Sequence, residues 1–229
     1  LLVSSAASDV YKRQEGALPS QIDNAIEAFG LNMGPFRMMD LIGLDLGWRA
    51  RKLAGVDSPL TNKIADTLCE NERFGQKNSK GFYNYSEGSR APNPAPENEE
   101  IYFKISEENG FTRREISDEE IVDRCILALV NEGAKILEEG VAQRASDMDI
   151  VYINGYGFPV WRGGPMFYAN SLGLDKVLEK LKGFQEIDSD FWKPADLLEK
   201  LAKDELKFGE APDINERKGK MKFPDIVGY

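Results

Sequence analysis

The sequence contains no histidine. That absence removes Ser-His-Asp and Cys-His catalysis, histidine general bases and most transition-metal sites. Cysteine is scarce: Cys69 and Cys125 stand far apart inside helical patterns and read as reduced core residues of a cytosolic-type compartment. No apolar run approaches the ~20 residues that a membrane helix needs. Excess positive charge is missing too. The formal net charge is −10, which argues against a nucleic-acid surface built from clustered Lys and Arg. There is no phosphate-loop lysine motif, no metal-ligand spacing and no nucleophile elbow. Gly155-Tyr-Gly157 is a poor dinucleotide loop, because it comes after a helical pattern and is broken by Pro159. Such a loop must leave a strand and open a helix.

What is present is helix punctuation, and it occurs twice. Gly34 to Asp45 reads GPFRMMDLIGLD, and Gly164 to Asp175 reads GPMFYANSLGLD. Both run Gly-Pro, seven residues, Gly-Leu-Asp without a gap, which marks a duplicated unit. Pro35 and Pro165 suit a first helical turn, where a missing N–H costs nothing. Gly43 and Gly173 suit the position just past a helix end. Asp45 and Asp175 suit the N-cap of the next helix. The similarity extends outward: Glu15-Gly16 and Ile22-Asp23 precede the first copy, Glu139-Gly140 and Met148-Asp149 the second. The second copy carries the longer insertion, an aromatic YGFPVWR stretch.

The 229 residues suffice for one large domain or two small ones, and 41% hydrophobic with 30% charged is ordinary globular composition. No alternating strand pattern runs beyond a few residues, so the fold class is all-α. Residues 1–14 share little with the rest of the chain and are set aside as a suspected non-native scar. Residues 15–85 form a first helical module, N-terminally truncated, in which Ser20 caps a helix, Asp45 opens another and Pro59 a third. Residues 86–96, SEGSRAPNPAP, read as a linker. Residues 97–208 form the second module. There Ser117-Asp-Glu-Glu120 is a capping box opening a long helix, and Ser146 and Pro194 open later ones. Residues 209–229 are a charged tail.

Two stretches invite a functional reading. RFGQKNSKGFYNY, Arg73 to Tyr85, is a basic loop running into an extended aromatic piece. It reads either as a loop closing the domain or as a phosphate or nucleotide contact through Lys77 or Lys80. The aromatic set Tyr156, Phe158, Trp161, Phe167 and Tyr168 reads as packing or interface more readily than as a ligand cage.

The ordered motifs MGPFRMMDLIGLDLGWRARK, RFGQKNSKGFYNY and ISDEEIVDRCILALVNEGAKILEEGVAQRASDMDIVYINGYGFPVWRGGPMFYANSLGLDKV carry a resemblance. They are similar to the C-terminal half of multifunctional fatty-acid β-oxidation enzymes, which join enoyl-CoA hydratase to 3-hydroxyacyl-CoA dehydrogenase. The resemblance covers nearly everything from Glu15 to about Ala202. It implies two tandem modules of the 3-hydroxyacyl-CoA dehydrogenase C-terminal type (6-phosphogluconate dehydrogenase C-terminal-like), packed about a pseudo-two-fold. It also implies NAD held by an upstream Rossmann domain, a 3-hydroxyacyl-CoA substrate, a histidine base in that upstream part, and a hydratase domain before it. No catalytic residue transfers to this chain, which lacks the Rossmann domain and histidine. The helix bearing the module's Asn would lie upstream of Glu15. Met33, Phe36 and Met39, with Lys77 and Lys80, are the candidate substrate contacts. The chain alone is expected to be inactive and to bind neither NAD nor metal. The expected compartment is a bacterial cytoplasm; a peroxisome is the alternative, although Val227-Gly228-Tyr229 is no Ser-Lys-Leu address. The competing function is a non-catalytic helical scaffold or interaction module.

Overall fold

The computed structural model describes residues 15–57 and 60–211. The suspected scar, the helix-opening Pro59 and nearly all of the tail lie outside the described residues. Helices dominate the rest: α1 (Pro19–Phe29), α2 (Pro35–Ile42), α3 (Asp45–Ala54), α4 (Lys63–Glu70), α5 (Glu99–Glu108), α6 (Asp118–Glu138), α7 (Ala145–Tyr156), α8 (Pro165–Leu172), α9 (Leu174–Phe184) and α10 (Asp196–Lys203). Among the described residues the only sheet is one antiparallel pair, β1 (Asn84–Tyr85) with β2 (Pro92–Asn93). No helix among the described residues is long and apolar enough to cross a membrane.

The duplicated punctuation works as its chemistry demands at both ends of α2 and α8. Pro35 and Pro165 occupy the first helical turn. Gly43 and Gly173 end the helices at φ 101° and 95°, a region that penalises any Cβ. The expected caps differ. Leu18, Leu44, Gly173 and Arg144 hold the N-cap positions expected of Ser20, Asp45, Asp175 and Ser146. Each of those polar residues sits inside the first turn instead. An aspartate there still meets the positive end of the helix, so its sequence signal is nearly the same. Ser117 does behave as expected, its Oγ accepting the Glu120 N–H at 3.1 Å.

The chain divides into two compact units, with the division between Cys125 and Ile126 inside α6. The first unit packs Ile22, Ile26, Phe36, Ile64, Leu68 and Phe82 into a core that also takes in Tyr102, Ile105, Ile116 and Ile121. The second packs Met166, Val177, Leu181, Trp192, Leu198 and Leu201. Burying each such Leu or Ile is worth ~1.5–3 kcal/mol. In the second unit α6 approaches closely at Gly133, where a Cβ would lie 2.6 Å from Met166 Sδ.

Residues 86–96 are mostly exposed, but the chain does not leave the first unit there. β1 and β2 fold it back, and α5 packs against α4. The composition of 86–96 reports solvent exposure; the apolar face of α5 decides where the chain goes next.

Candidate functional site

Asp23, on α1, is fully buried. Its carboxylate accepts the Phe36 N–H at 2.9 Å and the Arg37 N–H at 3.1 Å, closing the N-terminus of α2. A helix leaves these first donors unpaired, and an acceptor from a neighbouring helix satisfies them as a local cap does. Gly34 is required because a Cβ there would overlap Asp23. The second unit repeats the device. Asp149, on α7, accepts the Met166 N–H at 2.7 Å and the Phe167 N–H at 3.2 Å, and a Cβ on Gly164 would overlap it. Burial pushes the Asp149 carboxyl up to about 6 against the pull of those two N–H groups.

A second aspartate builds the loop after α4. Asp40, on α2, accepts the Phe82 N–H at 2.9 Å, the Tyr83 N–H at 3.0 Å and the Tyr85 hydroxyl at 2.8 Å. Tyr83 in turn donates its hydroxyl to Asp23 at 2.6 Å. Burial pushes Asp40 up to about 6, while the three donors and Arg73 pull it down. Burial also raises the Tyr83 and Tyr85 hydroxyls beyond their ordinary value, so both stay protonated and donate. Arg73 completes the frame, donating to Gly81 O at 2.9 Å, Asn84 Oδ1 at 2.8 Å and Glu97 Oε1 at 3.0 Å. In the second copy the equivalent of Asp40 is Asn170, which accepts the Phe208 N–H at 2.9 Å. One polar side chain per copy therefore anchors one buried phenylalanine.

The candidate contacts fall into three groups. Phe36 is fully buried, its ring edge-on to Phe82 at 4.9 Å, so it is core and not an open wall. Its sequence motif looks identical whether the ring faces core or cleft. Met33 and Met39 are half-buried on either side of it, Met39 packing on the first core. Lys77 and Lys80 share the loop and both are exposed. Lys77 forms an ion pair with Asp45, and the backbone of Lys80 pairs with Gly75. Lys77, with help from Arg49, holds the Asp45 carboxyl below the usual carboxylate range. Gly155-Tyr-Gly157 closes the C-terminus of α7, with Gly157 at φ 68°, so its backbone donors do not open a helix. Among the described residues no group of His, Cys, Asp and Glu has a metal-site arrangement.

The model of the 3-hydroxyacyl-CoA dehydrogenase C-terminal domain matches residues 2–85 and again 121–212. The chain belongs to the 3-hydroxyacyl-CoA dehydrogenase C-terminal domain family. This family domain thus occurs here twice, in step with the Gly-Pro repeat. The first match begins inside the stretch set aside from the sequence as a scar. Among curated relatives, the chain is 42% identical over 205 residues to the peroxisomal bifunctional enzyme of Danio rerio, and 41% identical over 206 residues to that of Homo sapiens. Each alignment takes in 82% of this chain but only 29% and 28% of those proteins. The dehydrogenase part of multifunctional enzyme 1 from C. elegans superposes with a TM-score of 0.69 at 30% identity, over 86% of this chain and 45% of that one. The Escherichia coli 3-hydroxybutyryl-CoA dehydrogenase shares the fold, with a TM-score of 0.65 at 17% identity over 89% of this chain and 59% of that one.

Sequence reading of this dehydrogenase domain missed Asp40 and Arg73 as the frame of the loop. A signal was available for Asp40. It occupies the same place in the repeat as Asn170, and each lies ahead of a phenylalanine that needs its N–H held. Arg73 offered none, because a buried arginine and an exposed one look alike in a basic loop.

Proposed function

We propose that this chain is the paired helical portion of an NAD-dependent 3-hydroxyacyl-CoA dehydrogenase of fatty-acid β-oxidation, inactive by itself. The family match to both copies carries this reading. The first copy supplies one wall of the acyl-CoA cleft through Met33 and Met39, with Lys77 and Lys80 at its rim. Phe36 acts behind that wall as packing. The described residues do not fit NAD: they contain no strand that runs through a glycine turn into a helix, the arrangement that holds a pyrophosphate. NAD therefore belongs to a Rossmann domain outside this chain, as does the base that removes the hydroxyl proton, since the chain has no histidine. A hydratase domain in the same polypeptide is part of the proposal, supported by the bifunctional and multifunctional names of the relatives. The names of the relatives support two compartments, a peroxisome and the bacterial cytoplasm expected from the sequence.

The test is turnover. NADH formation from a 3-hydroxyacyl-CoA is expected to equal the blank for this chain, and to appear on fusion to a Rossmann domain of the same family with the preceding helix restored. Activity of the chain alone would overturn the proposal, and so would silence of a correctly folded fusion that binds NAD.

A further inference from the structure

Asp45 and Asp175 occupy the same place in the two copies, yet their surroundings differ. Asp45 is nearly buried and takes two cations, the Lys77 ammonium and the Arg49 guanidinium, the latter at 3.0 Å. Lys77 Nζ lies 5.7 Å and Arg49 Cζ 5.9 Å from the centre of the Phe74 ring. The Trp48 ring stands 6.2 Å from Phe74, and Lys52 Nζ lies 4.2 Å from the Trp48 ring. Three cations thus surround two half-buried aromatic rings with Asp45 as the carboxylate paired among them, on a chain whose net charge is −10.

Of these rings and cations the second copy keeps one, Lys182 in the place of Lys52, and it pairs with Glu199 at 3.2 Å. Counting from the shared aspartate, Leu178 stands for Trp48 and Glu179 for Arg49. The copies realign after α4 and α10. Glu72 and Glu205 share φ near 55°, and Arg73 and Leu206 each donate their N–H at 2.9 Å to Leu68 O and Leu201 O. Phe82 and Phe208 are then anchored alike, and the loop bearing Lys77 has no counterpart between them. Asp175 makes no ion pair among the described residues and is exposed. The helical scaffold therefore forms without the cluster. Nor does the loop rest on Lys77 alone, since Asp40 and Arg73 also hold it through buried hydrogen bonds.

We propose that Trp48, Phe74, Arg49, Lys52 and Lys77 form a binding site for an adenosine phosphate. The adenine lies against the indole, and the phosphates meet Lys52 and the exposed sides of Arg49 and Lys77, which keep their pairing with Asp45. Flat rings take a base by stacking, and ammonium and guanidinium groups take phosphate oxygens by charge-assisted hydrogen bonds. Resting on the dehydrogenase reading above, the ligand is the adenosine 3′,5′-bisphosphate end of coenzyme A.

The probe is adenosine 3′,5′-bisphosphate added to the full chain, with binding read by tryptophan fluorescence and calorimetry. Saturable quenching is expected that weakens as salt rises, disappears in Trp48→Phe, and loses affinity at least tenfold in Lys52→Glu. Lys203→Glu, an exposed change in the second copy, is expected to bind as the parent does. Absence of saturable binding, or unchanged affinity in Lys52→Glu, overturns the site. Equal binding of inorganic pyrophosphate overturns the adenosine assignment, and tighter binding of NAD than of coenzyme A overturns the coenzyme A assignment. None of these readouts requires turnover, so failure here leaves the fusion assay to judge the dehydrogenase reading separately.

Discussion

Replacing Asp40 by Asn tests the buried frame, and the effect has a worked size and a pH dependence. Asp40 is fully buried and holds two backbone N–H groups and one hydroxyl. Asparagine keeps one oxygen, as Asn170 does for Phe208, and turns an NH2 group toward the donors that Oδ2 accepted. Two buried donors, the Tyr83 N–H and the Tyr85 hydroxyl, lose their acceptor, at ~1–3 kcal/mol each. The charge works the other way. The folded state raises the Asp40 carboxyl from 3.8 to about 6, which amounts to ~3 kcal/mol at ~1.4 kcal/mol per pH unit. A raised carboxyl stabilises the fold fully below its unfolded value, and that contribution is lost as pH rises through the folded one. The parent chain therefore sheds about 3 kcal/mol between pH 4 and pH 7.5 through Asp40, and Asp40→Asn does not. Asp149 titrates in the same window but is present in both proteins, so it cancels in the difference. Urea unfolding should show Asp40→Asn destabilised by ~2–6 kcal/mol near pH 5 and by ~1.5 kcal/mol less near pH 8, because about half of the Asp40 contribution is already lost by pH 5. Hydrogen exchange at the Phe82 and Tyr83 amides reports the same change locally. A gap that stays constant from pH 5 to pH 8 refutes the reasoning. It would mean that three donors and Arg73 keep Asp40 ionised throughout.

Gly164→Ala should cost about 2–4 kcal/mol in thermal or urea unfolding, since its Cβ overlaps Asp149 and its φ is 96°. Gly183→Ala, in open space on α9, should instead stabilise by ~0.5–1 kcal/mol; a loss there would show that the packing around α9 is misjudged. Arg124→Met should destabilise by about 3 kcal/mol, because Arg124 is buried and donates to both oxygens of Glu15 at 3.0 and 2.9 Å. Limited proteolysis should cut first within residues 86–96, which are mostly exposed, and first cuts within residues 121–137 would contradict this.

The helices and their ends were legible where a residue has one dominant physical use. Proline in a first turn and glycine at a left-handed helix end are of that kind, and the doubled Gly-Pro pattern located both copies. N-caps were misplaced by one or two residues because Ser and Asp serve the cap and the first turn alike. At 86–96 composition and tertiary contacts answer different questions. Low apolar content shows that a segment is solvated, whereas unit membership is decided by distant contacts such as Tyr102 and Ile105 in the first core. Phe36 illustrates the limit for the site. Nothing in MGPFRMMD distinguishes a ring that lines a cleft from one that fills a core; its edge contact with Phe82, far along the chain, makes that choice.

The duplication separates scaffold from function more sharply than either copy does alone. Positions kept in both copies do the same structural work: Asp23 and Asp149 close a helix, Leu44 and Leu174 are buried after the glycine, and Phe82 and Phe208 are anchored by α2 and α8. A requirement of folding acts on both copies, so it leaves the same residue or a chemical equivalent in each. A requirement of binding acts on the copy that meets the ligand. Trp48, Arg49, Phe74 and Lys77 are found in the first copy only. Among the described residues the second tolerates an exposed Asp175 without an ion pair, where the first holds two cations on Asp45. The charge of Asp40 fits the same division. Asn170 shows that a neutral amide suffices to hold one phenylalanine. The full carboxylate in the first copy goes with the longer loop and with two tyrosine-bearing residues that Asn cannot serve at once. The first copy thus accepts the cost of a buried charge in order to fix the loop that carries Lys77.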